Sequence, residues 1–100
     1  MGADGIEDDC TGAAQAALRV CDQLGRLRRL IAIELLCAAQ ALELRAPVVL
    51  GDGTAAAYGC VRELVAALDE DRPLGVDVER LAEAALRRGG LLDRVRAALG

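Results

Sequence analysis

The sequence predicts an all-α fold: one long bundle helix followed by two to three shorter helices, which together complete a larger helical bundle. Three observations predict it. The 100 residues are 54% apolar, but with a single Tyr and neither Phe nor Trp the apolar content is almost wholly Ala, Leu and Val, a composition that suits closely packed helices better than sheets. No proline interrupts the chain before Pro47. Proline and glycine then punctuate the rest at Pro47, Pro73 and Gly89-Gly90, at spacings that suit short helices.

Residues 1–10 read as an acidic lead-in, with Asp9 or Thr11 as the cap of the first helix. Residues 11–45 form the long helix. Val20, Leu24, Leu27, Ile31, Leu35, Ala38 and Leu42 recur at steps of three and four, which marks a packing seam. Opposite it lie Arg19, Asp22, Arg26 and Arg29 in the first half. Beyond Leu30 a second apolar stripe takes over through Ile33, Cys37, Ala41 and Leu44. Such a helix is roughly 50 Å long at 1.5 Å per residue, more than a compact chain of this size can cover by itself, so it calls for helices from elsewhere.

Residues 46–100 form the peripheral helices of the same single domain. Pro47 ends the long helix, because the residue before a proline is disfavoured in the α region. Thr54 caps a second helix that turns Ala57, Val61, Leu64, Val65 and Leu68 inward and stops at Asp69-Glu70-Asp71-Arg72-Pro73. Asp77 caps a third, with Val78, Leu81, Ala82, Ala85 and Leu86 on its inner side. Gly89-Gly90 separates this from a last helix through Leu91, Leu92, Val95 and Leu99.

Charge and cysteine content narrow the function classes. A net charge of −4, from 16 acidic and 12 basic residues, attracts neither nucleic acid nor anionic membranes. No uncharged run approaches a bilayer-spanning length, and the acidic start lacks the features of a signal peptide; the expected location is the cytoplasm. Cys10, Cys21, Cys37 and Cys60 form no CxxC pair and there is no histidine, so no metal site is expected. Cys21 and Cys37 are expected to pack as small apolar residues.

The segment Arg29-Leu-Ile-Ala-Ile-Glu-Leu-Leu-Cys-Ala-Ala-Gln-Ala-Leu-Glu-Leu-Arg45 closely resembles the ammonia-lyases that use a methylidene-imidazolone (MIO) electrophile, the histidine, phenylalanine and tyrosine enzymes and their aminomutase relatives. Leu50-Gly51-Asp52-Gly53-Thr54 with Ala57-Tyr58, then Val61-Arg62-Glu63, Leu68 to Leu74, and Gly90 to Val95 resemble the family's following segments in order and spacing. The resemblance runs from about Ile6 to the C-terminus. It implies that the chain is the C-terminal part of such an enzyme, a central-bundle helix followed by small peripheral helices.

Ile6-Glu7-Asp8-Asp9-Cys10-Thr11-Gly12 is similar to the family's Gln-Glu-Asp-His-x-Ser-Met motif. By that resemblance Glu7 is the active-site carboxylate, and Asp8 and Asp9 are substrate-proximal. Ile6, Asp9, Thr11 and Gly12 depart from the pattern. A carboxylate near the substrate's amino group can hydrogen-bond it or accept a proton; the alternative is that all three acids simply favour the positive end of the helix dipole. Glu34 and Gln40 are expected to pair with neighbouring helices, Tyr58 to pack with a satisfied hydroxyl, and Asp69 to Arg72 to form a solvated turn or an intersubunit ion pair.

The family's electrophile forms from an internal Ala-Ser-Gly, which this sequence lacks. No cofactor is therefore expected in this chain, and the MIO group is expected in a larger partner chain carrying Ala-Ser-Gly. The implied function is that of a small subunit or C-terminal segment of a split lyase acting on histidine, tyrosine or phenylalanine, assembled into a hetero-oligomer through the Ile31–Leu44 helix faces. The other reading is a non-catalytic helical module that self-associates through the same faces.

Overall fold

The computed structural model describes the backbone of residues 2–100 and the side chains of residues 12–100. It is all-α, and no strand occurs among the described residues. Helix α1 spans Gly2–Leu44 and α2 spans Asp52–Leu64. Helix α3, Gly75–Arg80, continues without a break into a π-helical stretch, Leu81–Arg87, and α4 spans Gly90–Leu99. The backbone of α1 already includes the segment read as a lead-in; Glu7, Asp8 and Asp9 lie outside the residues whose side chains are described.

The short helices begin without side-chain caps. Thr54 and Asp77, expected as caps, lie inside the first turns of α2 and α3, while Gly51 and Leu74 take the cap positions and accept the first helical hydrogen bonds, from Ala55 N (2.8 Å) and Val78 N (2.9 Å). Asp52, Asp77 and Asp93 occupy the first turns of α2, α3 and α4, where a negative charge complements the helix dipole without closing a cap. The end of α2 is held by arginines. The carbonyl of Leu64 accepts from Arg80 (3.0 Å), that of Val65 from Arg62 (3.3 Å), and those of Ala66 and Ala67 from Arg72 (2.7 and 3.2 Å). Cationic donors thus take up the carbonyls around a helix C-terminus, which have no intrahelical partner.

The core is small. Ala32 and Ala39 of α1 form one cluster with Cys60, Val61 and Val65 around α2 and with Leu81, Ala82 and Ala85 of the π-helical stretch; Leu81 and Ala32 are both 0% exposed. The inward residues expected on the second and third helices are buried or half-buried. The face of α1 that packs here differs from the expected seam. Ala32 and Ala39 leave room for the larger Leu81 and Val61 to approach, and small residues at a crossing let two rods come close. Of the seam residues, Val20, Leu24, Leu27 and Ile31 stay exposed, as do Leu30, Ile33 and Leu44 of the second stripe. Every described residue from 12 to 24 is exposed. The molecule measures 68 × 37 × 17 Å with a radius of gyration of 19.1 Å, against about 13 Å for a compact chain of this length.

The junction into α4 depends on two glycines. Arg88 N donates to Glu83 O (3.0 Å), the i→i−5 bond that gives the π turn its extra width. Gly89 then turns the chain at φ 77°, a left-handed conformation that favours glycine. A Cβ on Gly90 would stand 2.8 Å from the Ala84 carbonyl oxygen, a backbone atom that cannot step aside. Gly90→Ala is therefore expected to destabilise the fold by about 1–3 kcal/mol, read as a lower urea midpoint.

Candidate functional site

Two features draw polar chemistry together: the end of α1 against α2, and the groove beside it. On α2, Tyr58 and Arg62 lie four residues apart and so share a face. Both reach Glu43 in the last turn of α1. Tyr58 Oη donates to Glu43 Oε1 at 2.5 Å, and Arg62 Nε donates to the same oxygen at 2.5 Å. The Arg62 guanidinium stands 5.7 Å from the centre of the Tyr58 ring, within cation–π range, and its Nη2 is buried without a hydrogen-bond partner among the described residues. Tyr58 thus has the satisfied hydroxyl expected of it.

These donors hold the Glu43 carboxyl below the usual carboxylate range: the Tyr58 hydrogen bond contributes most, burial opposes it, and Arg62 adds to the lowering. The sign of the linkage follows. A carboxylate depressed in the folded state stabilises the fold fully above its unfolded value of about 4.3, and that contribution is lost as pH falls through the depressed folded value. Urea midpoints should therefore drop on acidification below about pH 4, and Glu43→Gln should flatten that part of the profile while lowering stability at neutral pH. An unchanged acid limb in the variant would assign the dependence to other groups.

The groove has a volume of about 310 Å³ and is lined by Leu36, Cys37, Gln40, Ala41 and Leu44 of α1 and by Arg62, Val65, Ala66, Leu68, Arg72 and Leu74. Gln40 closes one side through a reciprocal pair with the backbone of Leu68, Nε2 to the carbonyl and Oε1 from the amide, both 3.2 Å. Gln40 thus has partners, but they lie in the loop after α2 and not on a neighbouring helix as expected. Glu34, by contrast, is exposed and makes no hydrogen bond or ion pair of that kind among the described residues. Arg72, expected in a solvated turn or an intersubunit pair, instead donates to the carbonyls of Ala66 and Ala67, just past the end of α2, and pairs with Asp77 (3.1 Å). The lining is apolar and its arginines are engaged, so the groove suits an apolar side chain rather than bond-making chemistry.

Cys21, Cys37 and Cys60, the cysteines among the described residues, are not brought together by the fold. Cys60 is buried, which pushes its thiol up; Arg94 opposes this and Glu63 adds to it. A thiol so placed is a poor nucleophile. Cys21 and Cys37, expected to pack, are exposed, because the faces of α1 that carry them are uncovered. Among the described residues no group of three or more potential metal ligands comes together, and no helix is long and apolar enough to cross a membrane.

Neither feature is a complete active site. Residues 3–63 match the sequence model of the aromatic amino acid lyases. The chain belongs to the aromatic amino acid lyase family. The chain is 45% identical over 94 residues to a histidine ammonia-lyase of Symbiobacterium thermophilum, covering 94% of the chain and 18% of that enzyme. It is 42% identical over 88 residues to a histidine ammonia-lyase of Gloeobacter violaceus, covering 88% and 16%, and 35% identical over 96 residues to that of Sorangium cellulosum, covering 96% and 18%. The chain thus spans less than a fifth of the length of these curated relatives. No solved structure matches it.

Sequence reasoning passed over the Glu43–Tyr58–Arg62 cluster and the arginine clamp on α2. The first was signalled by Tyr58 and Arg62 at i and i+4. Nothing in the local pattern signals the second, which joins residues brought together by the turn between α2 and α3.

Proposed function

We propose that this lyase chain is the small part of a split ammonia-lyase that works in the cytoplasm, and that a larger chain completes its active site. The observation that carries the reading is the bare length of α1, a 43-residue helix on which only Ala32 and Ala39 are buried among the described residues. An amphipathic helix gains most of its stability from the surfaces that cover it, and large exposed apolar patches mark interaction surfaces. The chain has the family's helix and its Glu7 motif but less than a fifth of its relatives' length.

The family's electrophile cannot form within this chain, whose sequence contains no serine. The larger chain would carry Ala-Ser-Gly and, with it, the electrophilic group that activates the amino acid. This chain supplies α1 to the bundle, the small helices that brace it, and Glu7, which hydrogen-bonds the substrate's amino group or takes up a proton beside it. The substrate is an aromatic amino acid, with histidine first among those to test because the relatives named above are histidine ammonia-lyases.

The test is affinity purification of the tagged chain from its native extract, identification of bound chains by mass, and assay of the eluate for ammonia release from His, Phe and Tyr. A stoichiometric larger chain containing Ala-Ser-Gly, together with activity, supports the split enzyme. Recovery of this chain alone and inert rejects it, leaving a self-associating helical module.

A further inference from the structure

A notch of about 160 Å³ opens where the middle of α1 meets α3 and the π-helical stretch that continues it. Two small residues make room there: Ala82 is buried, and a Cβ on Gly25 would meet nothing within 4 Å. Arg28 and Arg29 line the notch from α1, and Glu79, Glu83 and Arg87 line it from the other side. Glu83 and Arg87 belong to the π-helical stretch, and π turns inside helices occur often at functional sites. Each glutamate is engaged through one oxygen only. Glu79 Oε1 accepts from Arg29 Nε at 2.7 Å, and Glu83 Oε1 accepts from Arg87 Nη1 at 3.3 Å and from Arg88 Nε at 3.2 Å. The Oε2 atom of each takes no hydrogen bond among the described residues, and the half-buried Arg28 enters neither a hydrogen bond nor an ion pair among them.

The notch therefore sets one unmatched cation beside two carboxylate oxygens that can still accept. A lone anion would meet Arg28 but also both glutamates, and a lone cation would meet the glutamates but also Arg28. Like charges at such distances repel. A small ligand that carries both charges, a carbon apart, satisfies donors and acceptors together. We propose that this notch binds the head group of a free α-amino acid, with its carboxylate on the Arg28 guanidinium and its ammonium on the free oxygens of Glu79 and Glu83. Charge-assisted hydrogen bonds of this kind are stronger than neutral ones. The bound molecule would bridge α1 and the rod packed on it, beside the Arg29–Glu79 pair that already joins them, so occupancy stabilises the folded chain. The site needs neither the electrophile nor a larger chain, and its failure would leave the split-enzyme reading standing.

The experiment is a titration of the full chain, followed by amide chemical shifts, with circular dichroism to show that each variant remains helical. The probes are L-alanine, acetate and methylammonium, each added at constant ionic strength. Alanine should shift the amides of Gly25, Ala82 and Glu83 saturably, with half-saturation on the order of millimolar, as a few exposed charged contacts supply. Acetate and methylammonium, which offer one charge each, should bind at least about tenfold more weakly. Arg28→Gln should weaken alanine binding by about tenfold or more. Gly25→Leu, a change that favours the helix, should abolish binding by filling the notch while leaving the chain no less stable. No saturable shift, shifts centred elsewhere on the chain, an equal response to acetate or methylammonium, or an unchanged affinity in either variant would each overturn the proposal.

Discussion

Glu7→Gln in the assembled enzyme is expected to slow ammonia release by about 10²–10⁴-fold, the range for loss of a general acid or base, with assembly intact. Glutamine keeps the size and a hydrogen-bonding carbonyl but cannot accept a proton at neutral pH, so the variant separates proton transfer from simple positioning. If the three acids of Glu7-Asp8-Asp9 only complement the helix dipole, the same change costs a few tenths of a kcal/mol in stability and leaves turnover untouched. Steady-state assay of the co-purified complex distinguishes these outcomes. Asp8→Asn and Asp9→Asn serve as comparisons, with smaller losses expected because Asp9 replaces the histidine of the family motif and is already a departure from it.

The largest effect on folding is expected at Leu81, where Leu81→Ala should cost about 3–5 kcal/mol. Leu81 is fully buried and is one of the two largest such side chains, the other being Val61. It belongs to the buried cluster with Ala32, Ala39, Cys60, Val61, Val65, Ala82 and Ala85. The other buried members of the cluster are Ala, Val and Cys, short side chains with little freedom to close a void, so the cavity should persist and its cost should lie toward the upper end of the range for such truncations. A domain with so small a core has few kcal/mol to lose. Urea or thermal denaturation of the chain should therefore show a largely unfolded variant at 25 °C, and a shift of under about 1 kcal/mol would place the stabilising core elsewhere.

Most of the fold could be read from the pattern of residues. The proline-free run ending before Pro47, the turn near Pro73 and the glycine pair at 89–90 set the number and order of helices, because those residues act on the backbone locally. The inner faces of α2 and of the α3 rod were legible for the same reason: Val61, Val65, Leu81 and Ala85 repeat at helical spacing and are buried as that spacing requires. Helix starts were less legible. Thr54 and Asp77 have the chemistry of caps, yet the helices begin two residues earlier, at Asp52 and Gly75, where carbonyls of Gly51 and Leu74 accept the first bonds.

The candidate site divides in the same way. Glu7 and its neighbours were legible only through the family motif, and their side chains lie outside the described residues. The Glu43 cluster required knowing that the end of α1 packs against α2, a contact between residues fifteen and nineteen positions apart.

The sequence by itself determined the family, the helical class and the excess of apolar surface on α1, since all three depend on residue identity and spacing along one chain. Only the tertiary structure decided which side of α1 this chain uses. Periodicity ranks faces by size and hydrophobicity and so pointed to the leucine and isoleucine stripes. Packing instead selected Ala32 and Ala39, because the short helices bring their own bulk in Leu81 and Val61 and need a smooth surface against which to set it, leaving the large side chains of α1 free for another helix.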